Sequence, residues 1–120
     1  MNKYVFDTYA IIEIVRGNPN YIKYNDSEVI INNFIYAELC YNILKGGKGN
    51  LKEIIEKYSK HINSVRPEWI VDAMKFRLSW KDRKVSVTDC VSYVMAKNLG
   101  IKFLTGDKEF KEVEGVEFVK

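Results

Sequence analysis

Four short β-prone runs, Lys3-Tyr4-Val5-Phe6, Val29-Ile30-Ile31, Ile101-Lys102-Phe103-Leu104 and Val116-Glu117-Phe118-Val119, interrupt a chain whose longer stretches carry apolar residues at helical spacing. No other feature limits the fold so tightly. Strands separated by helices pair in parallel through right-handed crossovers, and a parallel sheet must be covered on both faces. The expectation is an α/β fold: a three-layer α/β/α sandwich with a central parallel sheet. With 120 residues, the length of one ordinary domain, residues 1–120 are read as a single domain.

The helices carry their own punctuation. Ala10, Ile11, Ile14 and Val15 follow a helical period that Gly17-Asn18-Pro19 breaks. Asn32 or Asn33 can cap a helix with Ile35, Leu39 and Ile43 on its apolar stripe, ending at Gly46-Gly47. Asn50 caps a helix over roughly residues 51–60. Pro67 opens another, whose Trp69, Ala73, Phe76 and Trp80 share a face. Ser86 and Asp89 have capping-box spacing ahead of a helix carrying Val91, Val94, Met95 and Leu99, which Gly100 stops.

Composition removes several classes of protein. A 47% hydrophobic chain with two prolines has material for a core, so disorder and collagen-like repetition are excluded. No apolar run reaches the roughly 18–20 residues that span a bilayer, and Asp7 interrupts the one stretch resembling a signal-peptide core, so no membrane is expected and a cytosolic, cytoplasmic location is. Two cysteines and one histidine make neither a disulfide scaffold nor a Cys/His zinc set. Any metal must therefore sit among oxygen ligands. The net charge of +3 is unevenly spread: residues 41–84 hold eleven Lys/Arg against five Asp/Glu, leaving the remainder at −3. A basic stretch suits a polyanion, although a lysine-rich solvated helix surface is the plainer reading of charge alone.

In open parallel sheets, ligands bind beyond the carboxyl ends of the strands. Asp7 directly follows the first strand, and Asp107 follows the third by a Thr105-Gly106 turn, so both project from one sheet edge. Glu38 lies in the first turns of the second helix, and Asp89 opens the helix before the third strand. Each aspartate alone reads equally as a helix cap or a turn residue. Glu38 is harder to set aside, because it stands between Tyr36-Ala37 and Leu39-Cys40, where an unpaired carboxylate is costly. Four carboxylates in one pocket repel unless a divalent cation neutralises them, which points to Mg2+ or Mn2+.

On Phe6-Asp7-Thr8, Asn33-x-x-x-x-Glu38-Leu39, Val87-Thr88-Asp89 and Phe103-Leu104-Thr105-Gly106-Asp107-Lys108-Glu109-Phe110, the chain resembles the PIN-domain ribonucleases from residue 3 to about residue 119. In length it is most similar to the VapC toxins of toxin–antitoxin pairs. The resemblance implies a divalent-metal endoribonuclease that hydrolyses RNA phosphodiester bonds to 5′-phosphate and 3′-hydroxyl ends, is commonly a homodimer, and is held inactive by a cognate antitoxin. By position it implies Asp7 and Asp89 as principal metal ligands. Asp107 would complete or water-link the shell, and Glu38 would bind a second ion or orient the attacking water. Thr105 resembles the family's hydroxyl residue that bonds into the acid cluster, with Thr8 a weaker parallel. Asn32-Asn33 departs from the Ser or Thr that the family more often has ahead of the Glu38 helix; asparagine caps as well.

Two further readings stay beside this one: a housekeeping PIN nuclease of RNA processing or decay, and a PIN-like domain that binds RNA or protein without cutting. An aspartyl-phosphate phosphatase would need a second acid where Tyr9 stands, and a receiver domain would need an aspartate where Asn32-Asn33 follow the second strand. Lys45, Lys48, Arg77, Arg83 and Lys84 are the expected backbone contacts to RNA. Cys40, Cys90, Trp69 and Trp80 are assigned to packing, with the tryptophans in core or interface. His61 is assigned to the surface. Tyr36, Tyr41 and the Tyr21-Ile22 region are the expected dimer or antitoxin surface on the family's pattern.

Overall fold

The computed structural model describes residues 2–46 and 50–120. Strands β1 (Lys3–Phe6), β2 (Glu28–Ile30), β3 (Lys102–Thr105) and β4 (Val116–Phe118) form one sheet in the order β2-β1-β3-β4, every pair parallel. Five α-helices accompany them: α1 (Thr8–Arg16), α2 (Asn33–Gly46), α3 (Leu51–Tyr58), α4 (Pro67–Ser79) and α5 (Val87–Leu99). The two central strands are buried from their second residue onward, as expected of a sheet with helices over both faces.

Register shows what lies on each face. Val5 stands beside Ile30 and Phe103, and Phe103 beside Val116, so these side chains share one face. There Phe103 meets Tyr93 of α5 and Phe110 edge-on, and Phe76 of α4 stacks on Tyr93 at 5.0 Å. The opposite face carries Tyr4, Phe6 and Leu104; Tyr4 packs edge-on against Tyr24 at 5.5 Å. Full burial of residues such as Phe6, Phe103 and Phe110 contributes about 1.5–3 kcal/mol each. The expected three layers are thus present, with helix α1 and a tyrosine-bearing segment on one side and α4–α5 on the other.

Local chemistry sets the helix ends. Asp7 caps α1, and Gly17 closes it with φ 80°, sending its N–H to the carbonyls of Glu13 and Ile14. Of the two asparagines ahead of α2, Asn32 is the cap: its side-chain oxygen accepts the Ile35 N–H at 2.9 Å. Its amide nitrogen donates to Ser92 Oγ at 3.1 Å, tying α2 to α5. Asn50 caps α3, and Ser86 with Asp89 forms a complete capping box on α5.

Strand β3 begins and ends one residue later than the sequence reading has it and β4 ends one residue earlier, and the structure departs from that reading in four further places. Residues Pro19–Asp26, where the helical period breaks, wind as a 3-10 helix; its three-residue turn puts Tyr21 and Tyr24 on the same buried side. Tyr21 is therefore core and not interface, with its hydroxyl donating to the Val119 carbonyl, while Ile22 is left exposed. Strand β2 begins and ends one residue early, because Ile31 leaves the ladder to bridge Ile62. Helix α3 stops at Tyr58, and the next turn leaves His61 half-buried against that ring rather than on the surface. Among the described residues no helix is long and apolar enough to cross a membrane.

Candidate active site

The connection from β1 runs to one edge of the sheet and the chain returns to β3 on its other side, so strand order reverses between β1 and β3. A crevice opens at such a point beyond the strand ends. Phe6 is in register with Leu104, and the Asp7 N–H donates to the Leu104 carbonyl at 2.9 Å, so Asp7 and Thr105 leave the sheet side by side. The Thr105 hydroxyl, itself buried, donates to Asp7 Oδ2 at 2.7 Å and accepts the Asp107 N–H at 3.0 Å. One hydroxyl thus spaces the two strand-end acids.

The helix-borne acids come from the other side. The Asn32–Ser92 bond fixes α2 against α5, which brings Glu38 and Asp89 to the same crevice. Asp7, Glu38, Asp89 and Asp107 line one cleft of about 660 Å³, together with Thr8, Tyr9, Asn42, Ser86, Lys108 and Lys120. Thr8 donates its hydroxyl to Glu38 Oε1 at 3.1 Å, a direct contact to an acid that sequence had marked only weakly.

Electrostatic crowding is strongest at Asp7, which is 4% exposed. Burial first, then the charge of Asp89, push its carboxyl up to about 7, against the opposing hydrogen bonds from Thr105 and the Thr8 N–H. Asp89 is raised as well, mainly by burial; its bonds with Ser86 pull the other way, and Asp107 and Glu38 add to the rise. A cation entering the cleft would relieve the charge that raises Asp7 and Asp89.

The donor chemistry suits a hard ion. Asp89 binds the Ser86 N–H through Oδ2, Asp107 the Glu109 N–H through Oδ1, and Glu38 the Thr8 hydroxyl through Oε1. Among the described residues the second oxygens of Asp107 and Glu38 accept no hydrogen bond, leaving hard donors beside Asp7 and Asp89. No group of three or more His, Cys, Asp or Glu among the described residues is arranged to hold a metal ion as the side chains stand. The four-acid set expected from sequence is therefore a shared cleft, not a closed coordination shell. Capping and turn bonds hold the acids where repulsion between them is tolerated.

Sequence reasoning missed the cleft's own cations and its aromatic wall. The Lys120 ammonium lies 5.2 Å from the Tyr9 ring centroid and donates to the Gly106 carbonyl at 3.2 Å. Gly106 is glycine for packing: a Cβ there would stand 2.2 Å from Tyr9 Cε1 and 2.6 Å from the Val119 carbonyl oxygen. The contacts to Tyr9 join residues about 100 apart, and no local pattern announces them.

The expected RNA-contacting cations are not gathered in the cleft. Lys45 lines a small recess of about 140 Å³ with Arg16 and Asn42. Arg77 and Arg83 line a different one of about 400 Å³, and Lys84 is exposed. Lys48 lies outside the described residues, as does Gly47 of the expected helix end. Cys90 is fully buried, its thiol pushed up to about 11 chiefly by burial, and Cys40 is half-buried.

A family model described as the PIN domain matches residues 4–116 of the chain. No curated protein matches it in sequence. Among solved structures, the chain is similar to a toxin–antitoxin complex chain from Klebsiella pneumoniae, at 16% identity and TM-score 0.77, with 95% of each chain covered. It is similar also to Mycobacterium tuberculosis VapC20, described as a Sarcin-Ricin loop cleaving toxin, at 15% identity and TM-score 0.75, covering 99% of this chain and 100% of that one. At such identities the likeness is one of fold.

Proposed function

The chain belongs to the PIN domain family, and from that premise we propose that it is a divalent-metal endoribonuclease, the toxin of a type II toxin–antitoxin pair. The observation that carries this reading is the convergence of Asp7, Glu38, Asp89 and Asp107 in one cleft at the strand-order reversal, with Asp7 pushed up to about 7. A protein using these groups only as caps and turns has no need to bury a carboxylate among three others.

Asp7, Asp89 and Asp107, with Glu38, are the residues that would hold Mg2+ or Mn2+. When bound, the ion supplies a Lewis acid that polarises a phosphodiester and acidifies water. The chain's own groups do the positioning. Thr105 keeps Asp7 and Asp107 in fixed relation, Thr8 holds Glu38, and the second oxygen of Glu38 orients the attacking water. The oxygen of that water bonds to phosphorus as the bond from phosphorus to O3′ breaks, and the proton given up by the water is balanced, through solvent, by the one O3′ takes up, leaving a 5′-phosphate and a 3′-hydroxyl. Lys120, at the cleft wall, offers N–H donors to a phosphate oxygen.

The partners belonging to this reading are a second copy of the chain and an antitoxin. Tyr41 and Leu44, one turn apart on α2 and 64% and 69% exposed, with Ile55 on α3, give such partners apolar surface to cover. A housekeeping nuclease would use the same acid cleft, and an antitoxin-sized reading frame beside the gene discriminates against it.

The test is cleavage of a mixed RNA pool by the purified, antitoxin-free chain with Mg2+, with Mn2+ and with chelator. Cleavage should require metal and fall on the order of a thousandfold in Asp7→Asn and in Asp89→Asn. Folded, metal-supplemented protein that leaves every RNA intact would refute the catalytic reading and leave a binding domain.

A further inference from the structure

Without metal, four carboxylates outnumber Lys108 and Lys120 in the cleft lining and leave it acidic, so a polyanion gains from cations placed elsewhere on the surface. The about 400 Å³ recess beside α4 has the opposite chemistry. Arg77, Lys81 and Arg83 line it over an apolar floor that includes Leu78, Trp80 and Val85, and no acid lines it. Among the described residues none of the three cations forms an ion pair.

Both guanidiniums are held by main-chain carbonyls instead of carboxylates. Arg77 Nε donates to the Val85 carbonyl at 3.3 Å, and Arg83 donates through one terminal nitrogen to the Glu109 carbonyl at 3.0 Å while lying 4.0 Å over the Trp80 ring. Each bond uses one of a guanidinium's five N–H groups, so the forks are fixed in place with donors to spare and their charge uncompensated. Leu78, 71% exposed in the same lining, offers an apolar surface of the sort a nucleobase covers.

The recess adjoins the acid cleft along the chain: Val85 lines the first, and the next residue, Ser86, lines the second and caps the helix bearing Asp89. We propose that this recess is an anchoring site for the backbone of single-stranded RNA flanking the bond presented to the acids. It binds phosphodiester by charge and fork geometry and draws no affinity from the metal. The inference rests on RNA being the substrate, and it separates attraction from chemistry: the recess holds the strand, the cleft cuts it.

The experiment is fluorescence anisotropy of a labelled 15-nucleotide polyuridylate on the full chain in chelator, across a salt series, so that nothing is cleaved. Each single-strand phosphate contact contributes about 0.7 to the slope of log affinity against log salt. Lys81→Gln, which touches no tether, should flatten the slope by about 0.7. Arg77→Gln with Arg83→Gln should flatten it by about 1.4 and weaken binding roughly tenfold at moderate salt. Arg83→Lys keeps the charge and should recover most of the slope. Should the double variant lose its fold, as judged by circular dichroism, Lys81→Gln decides alone.

Wild-type slopes in folded variants would overturn the inference, also if the same variants lose binding to an acidic peptide, which would mark the recess as a protein-docking site. The nuclease reading fails separately: a wild-type chain that cuts no RNA yet shows the recess-dependent slope keeps the anchor and loses the chemistry. A chain that cuts RNA while its recess variants bind normally does the reverse.

Discussion

The acid cleft and the cationic recess meet at Ser86 and Val85, and they treat crowded like charge in opposite ways. In the cleft Asp7 is buried among three half-buried acids and can shed its charge, so the cost is expressed as protonation: Asp7 is pushed up to about 7 by burial and by Asp89. In the recess a guanidinium has no such escape, and its side chains stay exposed, tied to carbonyls and an aromatic ring. Burial is tolerated where a proton or a cation can enter, and exposure is retained where neither can.

The contrast is sharpest in the pH dependence of stability. The Asp7 carboxyl has an ordinary value of 3.8 and a folded value of about 7, so between them the folded state holds more protons than the unfolded. Metal-free protein therefore loses stability as pH rises from about 4 to about 7 and levels off above. The difference of about three pH units corresponds to at most about 4 kcal/mol. Urea unfolding in chelator should show the wild type weaker at pH 8 than at pH 5, with most of that difference gone in Asp7→Asn and retained in Lys81→Gln. Equal stability of the wild type at both pH values would break the comparison.

The second handle is the cation itself. An ion binding only the folded cleft at a hundred times its Kd adds about 2.7 kcal/mol. Thermal melts at pH 8 should therefore rise with Mg2+ or Mn2+ in the wild type and stay flat in Asp89→Asn, while recess variants keep the full rise. A third handle asks whether the cleft is crowded sterically as well as electrically. Gly106→Ala brings a Cβ against Tyr9 and the Val119 carbonyl, and should cost about 1–3 kcal/mol in any buffer and at any pH. A neutral effect would mean that the Tyr9 ring and the Val119 backbone both move aside freely.

Much of this arrangement is legible from short stretches of sequence. Strands β1 and β3, the Ser86–Asp89 capping box and the Gly100 stop each declare themselves within a few residues, and the order of strands and helices does the rest. The acids could be placed because Asp7 and Asp107 follow recognisable strands and Glu38 and Asp89 lie in the opening turns of recognisable helices. What escaped depends on partners far along the chain. The 3-10 turn at 19–26 is stabilised by where Tyr21 and Tyr24 go, with Tyr24 donating to Glu117 at 2.6 Å, and periodicity of 3.6 does not reveal it. Ile31 leaves its strand for Ile62, a pairing that no run of β-formers marks. The basic residues were legible as charge but not as location, because their separation into different recesses depends on helix packing rather than on spacing.

The Thr105–Asp7 hydrogen bond joins residues 98 positions apart, and β1 has its other central neighbour in β3. Strand β1 can pair with β2 early, but the cleft waits for the end of the chain, since loop closure over such a separation comes late and contact order slows it. A nascent chain emerging from the ribosome has Asp7 and Glu38 in place of a site, and nothing to set against them, until residues 89–107 have been made. Synthesis itself thus delays the appearance of the cleft, and any partner that covers it has the whole of translation in which to be ready.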